Sequence, residues 1–476
     1  MITSSLKIGL FAIGLDTYWE QFDGLKEKLE GYLDEVHKKI ATIHPYIVNA
    51  GLIDTVDKAF AAGKLFRKED VDIIFLYVTT YALSSTVLPV VQHAKVPVII
   101  LNLSPAETID YAAFNKMDDR TKMTGEWLTF CSACPVPEIA NVFNRTGITF
   151  HEVTGLLHND KESLREIKEW IEAAKVANVM SYNRMGCMGH YYSGMLDIYS
   201  DFTQHYLYFG GHIEIIEVDE LSALRNEVSD VEIRERVALF YNAFSVQADC
   251  SQYELERAAR TSVALDLLVE KYQLGSMAYY YKGALNSPNH DSISSIILGN
   301  SLLTARGIPV AGEYEIKNAQ AMKIMDSFGA GGSFTEYYAM DYAEDVVLMG
   351  HDGPGHIAIA EDKTKVRPLN VYHGKVGNGL SVEMSVKKGP VTLLSVVEKM
   401  DGKLFLLVAQ GETVDGPILQ IGNTNSRFKF STGARKFVNV WNSYGPAHHC
   451  AVGLNHIASK IKKLGELLGM ETVQIC

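Results

Sequence analysis

Cysteine is scarce in this chain of 476 residues: six are scattered along it, too few and too far apart for a disulfide framework. A reducing cytoplasm is therefore the expected compartment. Positive charge is in deficit as well. With 44 Lys and Arg against 57 Asp and Glu, and a formal charge of −13, the chain lacks the basic surface that nucleic acid or an anionic membrane requires. Long apolar runs are missing too, since nothing reaches the roughly 18 consecutive apolar residues of a membrane-spanning helix. The opening MITSSLKIGLFAIGLDTYW carries one lysine and an apolar run broken by glycine, so it reads as a first strand and not as a signal peptide. No internal repeat and no low-complexity linker interrupts the chain, and its domains are expected to pack closely.

What is present is a soluble globular composition, 47% hydrophobic and 21% charged, on a chain too long for one ordinary core. Apolar runs at 6–14, 71–77 and 96–103 alternate with helical patterns at 22–41 and 84–94, the signature of a parallel sheet covered on both faces. After a charged helix at 160–176 the alternation resumes, with strands expected at 177–182 and 212–218 and a long amphipathic helix at 253–272. From about Asp345 the texture becomes β-rich. The runs 390–397 and 403–409 flank Asp401-Gly402, a strong hairpin signal, and a lysine-rich helix at 451–468 is expected to follow His448 and His449 directly. The expected architecture is α/β: two Rossmann-like parallel-sheet domains, 1–175 and 176–325, then a mainly antiparallel, barrel-like β domain, 326–476, with a terminal helix.

The chemistry concentrates in 312–355 and in GPAHHC at 445–450. Glu313, Glu336, His351 and one of the pair His448 and His449 make a mixed oxygen and imidazole set that suits a divalent ion such as Mn²⁺ better than a thiol-loving one. Each residue also has a plainer reading. Glu313 alone is a solvated residue before a helix at 317–328, favoured there by the helix dipole. The stripe of Ala321, Ile324, Met325 and Phe328 on that helix is core. The glycine-rich 329–332 lacks a phosphate-loop lysine and follows a helix, so its expected role is a tight turn that aims Glu336 inward. His351 ends an apolar run and could equally be a hydrogen-bonded core histidine, with His356 competing for the same role. Adjacent histidines point in different directions, so one of His448 and His449 is expected at the metal and the other at substrate. The CxxC at Cys131 and Cys134 has no second CxxC and reads as a pocket wall or buried turn.

In order and spacing, the glycine before Glu313, the GGSFTE that ends at Glu336, the VLMGH that ends at His351 and the GPAHH that ends at His449 resemble the metal-site motifs of the L-arabinose isomerase family, within the arabinose and fucose isomerase group. The resemblance implies a Mn²⁺-dependent aldose–ketose isomerase, with Co²⁺ or Mg²⁺ as other candidate ions. It implies a hexamer, a dimer of trimers with active sites between subunits. By position, Glu313, Glu336, His351 and His449 would hold the metal, Glu313 and Glu336 would carry the proton chemistry, and His448 would lie beside the monosaccharide.

The departures from the family bear on substrate. Where it has GSQHLY near the N-terminus this chain has GLDTYW, with Asp16 and Trp19. Where it has an Asn-Gln-x-Ala-His pattern, this chain has Phe130 followed by CSAC, with Cys131 and Cys134. Tyr281 is a further candidate substrate contact. Replaced hydroxyl readers imply a preferred sugar other than L-arabinose, because a site built to pair particular hydroxyls rejects analogues that leave its groups unpaired. The run from Asp352 to His356 also departs, which leaves His351 and His356 as alternative ligands. Two other functions fit the same motifs, a non-catalytic sugar-binding or sensing protein and a sugar epimerase. Binding alone does not need all four residues.

Overall fold

The computed structural model describes residues 5–369 and 378–476. It divides into two compact units, the first ending at Asn178 and the second running from Val179 to Cys476. In the first, five parallel strands lie in the order Ile47–Ile53, Ile8–Ile13, Ile73–Val78, Val98–Ser104 and Phe150–Leu156. The interior strands Ile8–Ile13 and Ile73–Val78 are buried along their whole length, as a sheet covered on both faces demands. Their side chains join Phe66, Val90, Ile139 and Phe143 from the flanking helices in one core. The outer strands are more polar and partly exposed, and their sequences do not announce them.

The second unit begins with four parallel strands in the order Val310–Ala311, Ser276–Tyr280, Arg184–Gly189 and His212–Ile216. The strand expected at 177–182 is instead the end of the helix Lys161–Ser181. Buried Val176 and Met180 lie four apart, continuing the helical stripe, and the sheet strand starts only at Arg184.

Beyond them, six antiparallel strands close on themselves: Gly389–Glu398, His449–Leu454, Ser333–Asp341, Val346–His351, Thr424–Lys429 and Leu404–Thr413, the last pairing back to the first. Glu471–Gln474 adds a parallel strand outside the closure. Closure removes free edges and leaves the interior for side chains such as Met349, Leu393, Leu407 and Phe428. The hairpin expected at Asp401 and Gly402 is present, with Gly402 at φ 80°. The helix expected from Ala451 begins only at Ala458, because 449–454 is a strand hydrogen-bonded on both sides. The helix Ile316–Ser327 packs against this barrel, and all ten residues from Ile316 to Met325 are buried, including Lys317, whose Nζ donates to the carbonyl of Asp197.

One buried histidine gives the second unit an acid-sensitive element. His205, on the helix Phe202–Phe209, contacts Ser200 Oγ through Nε2 at 2.9 Å, while that hydroxyl donates to Glu398 at 2.6 Å. The hydroxyl proton being committed to Glu398, Nε2 must be the donor, and the ring is neutral. Burial lowers its pKa from the ordinary 6.5 to about 3. Below pH 6.5 the unfolded chain therefore takes up a proton that the folded chain refuses, and stability falls by about 1.4 kcal/mol per pH unit until the folded value is reached. Urea unfolding at pH 7 and pH 5 is expected to show wild type losing about 2 kcal/mol more than His205→Gln. Equal losses would show that His205 is not the responsible group.

Candidate metal centre

Leaving the strand Val310–Ala311, the chain turns through Gly312 into Glu313 and Tyr314, whose φ angles are 58° and 62°. Two successive non-glycine residues in the left-handed region cost on the order of 1 to 3 kcal/mol each and persist only where the surroundings impose them. Here the Tyr314 N–H donates to the Tyr279 carbonyl at 2.9 Å, the Glu315 N–H donates to that of Gly312 at 3.0 Å, and the Tyr191 ring lies 4.9 Å from that of Tyr314. The turn directs the carboxylates of both Glu313 and Glu315 at His449. Glu313 is 7% exposed, so it is not the solvated residue that its place before a helix suggests.

The barrel supplies the facing groups through its register. Glu336 pairs with Gly350 on one side and with His449 on the other, which sets Glu336 and His449 directly opposite each other. His351 follows Gly350 as the last residue of its strand. Phe334, two residues before Glu336 and on the same face, packs its ring 4.4 Å from His351 and 4.3 Å from His449. The glycine-rich turn feeds this strand by close approach: a Cβ on Gly332, at φ 144°, would lie 2.6 Å from the Met322 carbonyl oxygen.

Three histidines converge on Glu313. Its carboxylate oxygens lie 4.0 Å from His351 Nε2, 3.7 Å from His448 Nε2 and 3.4 Å from His449 Nε2. His448 Nε2 is also 3.9 Å from Glu336. Two groups of donor atoms, Glu313 with His448 and His449, and Glu336 with His351 and His449, each fall within 4.8 Å of one another. The expected divergence of the adjacent histidines does not hold, because His448 precedes the strand His449–Leu454 and escapes its alternation. Both rings therefore present Nε2 to Glu313.

Each of these two rings is held from behind by a carboxylate absent from the expected set. His448 Nδ1 is 2.6 Å from Asp197, and His449 Nδ1 is 2.6 Å from Glu315. Burial works against charge on His448, but the hydrogen bond and charge of Asp197, with Glu315 and Glu313 beyond, outweigh it and raise its pKa. Burial likewise pushes the fully enclosed Glu315 carboxyl up to about 8. No pattern in the sequence distinguishes Glu315 or Asp197, whose roles come from a left-handed turn and from a contact spanning 251 residues.

The donor set fits a divalent ion of the Mn²⁺ class: carboxylate oxygens and imidazole nitrogens converge, and no thiolate competes. The nearby thiol of Cys450 is buried and pushed up in pKa, hence protonated. His356 stands apart from both groups, with its Nε2 3.7 Å from Asp326. Tyr281 is half-buried, its ring 6.2 Å from that of His190. Next to His190, Tyr191 packs on Tyr314 and Tyr192 donates its N–H to the Glu313 carbonyl at 3.4 Å, so this aromatic segment adjoins the Glu313 turn.

The remaining candidates lie in the first unit. Trp19 and Cys131 share a cluster with Leu25, Leu29 and Leu128, and the Trp19 indole donates to Asp54 at 2.9 Å. Asp16 is exposed and accepts from the Thr17 N–H at 2.8 Å. Cys131 and Cys134 are joined by a disulfide, which the scarcity of cysteine did not foresee. The tight turn before the helix Val136–Thr146 brings their Cα atoms to 5.5 Å, within bonding reach. Cys131 is buried and Cys134 exposed.

Residues 331–471 match the model of the L-arabinose isomerase C-terminal domain. A curated L-arabinose isomerase from Nocardioides sp. (strain ATCC BAA-499 / JS614) is 22% identical over 356 residues, covering 71% of this chain and 68% of that protein. Among solved structures, an ABC transporter solute-binding protein from Burkholderia multivorans aligns over 68% of this chain and 93% of its own, at 11% identity and a TM-score of 0.17, too low to bear on the argument.

Proposed function

From the match of residues 331–471 to the L-arabinose isomerase C-terminal domain and the 22% identity to a curated L-arabinose isomerase, we propose that this chain is a divergent member of that family and a metal-dependent aldose–ketose isomerase acting on an open-chain monosaccharide, with a preference for one other than L-arabinose. The observation that carries the reading is the convergence of Glu313, Glu336, His351, His448 and His449 in two overlapping groups that share His449. Sugar binding alone does not call for two carboxylates and three imidazoles at one place.

Glu313, Glu336, His351 and His449 are the proposed ligands. Their separation from His356, which faces Asp326, favours His351 over His356. A divalent ion, Mn²⁺ or a relative such as Co²⁺ or Mg²⁺, supplies a Lewis acid toward the sugar oxygens when bound there. Isomerisation moves hydrogen between C2 and C1 through an enediolate, and two carboxylates in unlike surroundings can divide the base and acid roles. Glu336 is the more open of the two, with a side chain 29% exposed against 9% for Glu313, so it is assigned the proton at C2. His448, partly exposed and braced by Asp197, is assigned to a substrate oxygen. The family pattern supports Asp16, Trp19, Cys131 and Cys134 as replacements for its hydroxyl readers. It also supports a homohexamer, which light scattering tests directly.

The test is a panel of pentoses, hexoses, deoxysugars and branched sugars incubated with Mn²⁺-loaded protein, with ketose formation read by colour and NMR. One sugar is expected to exceed L-arabinose in kcat/KM by about 10²-fold or more. L-arabinose as the best substrate would overturn the specificity assignment, and no ketose from any sugar would overturn the isomerase reading.

A further inference from the structure

The metal-site reading accounts for Glu313 and Glu336 but leaves a third carboxylate unused. Glu315 has no exposed surface, a rare and costly place for a carboxyl group. One of its oxygens, Oε2, lies 2.6 Å from His449 Nδ1. The other, Oε1, makes no hydrogen bond among the described residues. The placement is not an accident of helix geometry. The left-handed pair Glu313 and Tyr314 precedes it, and the same turn that brings Glu313 to the Nε2 side of His449 brings Glu315 to the Nδ1 side. The imidazole is thus clasped edge to edge by two carboxylates two residues apart, with Phe334 against its face.

We propose that Glu315 is the positioning residue of this centre: by holding the proton of His449 on Nδ1, it fixes the ring and commits the Nε2 lone pair to the metal side. The inference rests on the metal-site reading above and deepens it. Imidazole has one donor and one acceptor nitrogen when neutral, and which is which is decided by the partner each one meets. Nδ1 is engaged by Glu315 at 2.6 Å, which leaves Nε2, 3.4 Å from Glu313, as the nitrogen facing the metal side. The same contact makes the ring a more basic ligand and removes its rotational freedom, and loss of such a partner weakens metal binding by about 10- to 100-fold. Glu315 does not touch the ion or the sugar in this account.

The test measures Mn²⁺ binding to the metal-stripped full-length protein by calorimetry, together with the visible spectrum of the Co²⁺-loaded form. Glu315→Gln keeps the size and an accepting oxygen but loses the second carboxyl oxygen and the capacity to ionise, and it is expected to bind Mn²⁺ about 10- to 100-fold more weakly with an altered Co²⁺ spectrum. Glu315→Asp, which keeps the carboxyl group one methylene short, is expected to fall between Gln and wild type. It decides the matter if the Gln variant does not fold. A merely structural carboxylate would change the melting temperature of the stripped protein and leave the Co²⁺ spectrum of whatever folds unchanged. Mn²⁺ affinity within twofold of wild type in Glu315→Gln, or in Glu315→Asp should only that variant fold, alongside loss of binding in Glu313→Gln, overturns the role of Glu315 and leaves the site standing. Failure of wild type itself to take up one Mn²⁺ per chain overturns the site reading instead.

Discussion

Glu313→Gln is expected to abolish Mn²⁺ retention and to reduce turnover by at least about 10³-fold while leaving the fold intact. Three imidazole nitrogens lie between 3.4 and 4.0 Å from the Glu313 carboxylate, so its charge faces all of them at close range. An amide of the same size keeps the left-handed turn, since the backbone is held by Tyr279, Gly312 and the aromatic packing of Tyr191 on Tyr314, and not by the carboxylate. What changes is charge. Without it, the proposed site would lose one anionic oxygen donor of the kind a dication of the Mn²⁺ class favours. Metal content after dialysis, ketose formation and a thermal melt together read the three parts of the expectation. Full activity of the stripped wild-type protein without added metal would be the contrary result, and it would remove the metal from the mechanism altogether.

Much of this centre can be read from sequence because its residues carry local marks. Glu336 follows glycines that have no room for a side chain, and His351 ends an apolar strand. The order of these marks along the chain is what resembles the isomerase family. Interior strands such as Ile73–Val78 are legible for a similar reason, since burial on both faces leaves a continuous apolar run. The edge strands Ile47–Ile53 and Phe150–Leu156 are not, because one flank meets solvent and polar residues dilute the pattern. The strand His449–Leu454 carries no local signal that separates it from the helix after it; its pairing with two neighbouring strands defines it. Glu315 and Asp197 are illegible for a deeper reason: a carboxylate becomes a histidine's partner through tertiary geometry, and their sequence neighbourhoods are those of any acidic residue. The disulfide between Cys131 and Cys134 likewise depends on a turn that spacing permits without dictating.

Gly350→Ala is expected to damage the protein more than many changes of residues that touch substrate, although Gly350 itself carries no chemistry. It pairs with Glu336 on one side and with Asn425 on the other, and it immediately precedes His351. A Cβ there would overlap the carbonyl oxygen of Thr424 and stand 2.9 Å from the Tyr338 ring. Neither neighbour can withdraw freely. Thr424 is bound to His351 in both directions, with the His351 N–H donating to its hydroxyl at 2.7 Å and that hydroxyl lying 3.0 Å from the His351 carbonyl. The overlap must be relieved by parting Val346–His351 from Thr424–Lys429, and overpacking of this kind costs about 1 to 3 kcal/mol, more when backbone is the obstacle. Because the parted strand ends in His351 and is paired to Glu336, the same displacement spreads the donor atoms. Urea unfolding is therefore expected to show a loss of about 3 kcal/mol, and Mn²⁺ affinity of the folded fraction is expected to fall with it. Wild-type stability in Gly350→Ala would mean that these two strands can separate without cost, and the rigid register from which the centre is built would have to be abandoned.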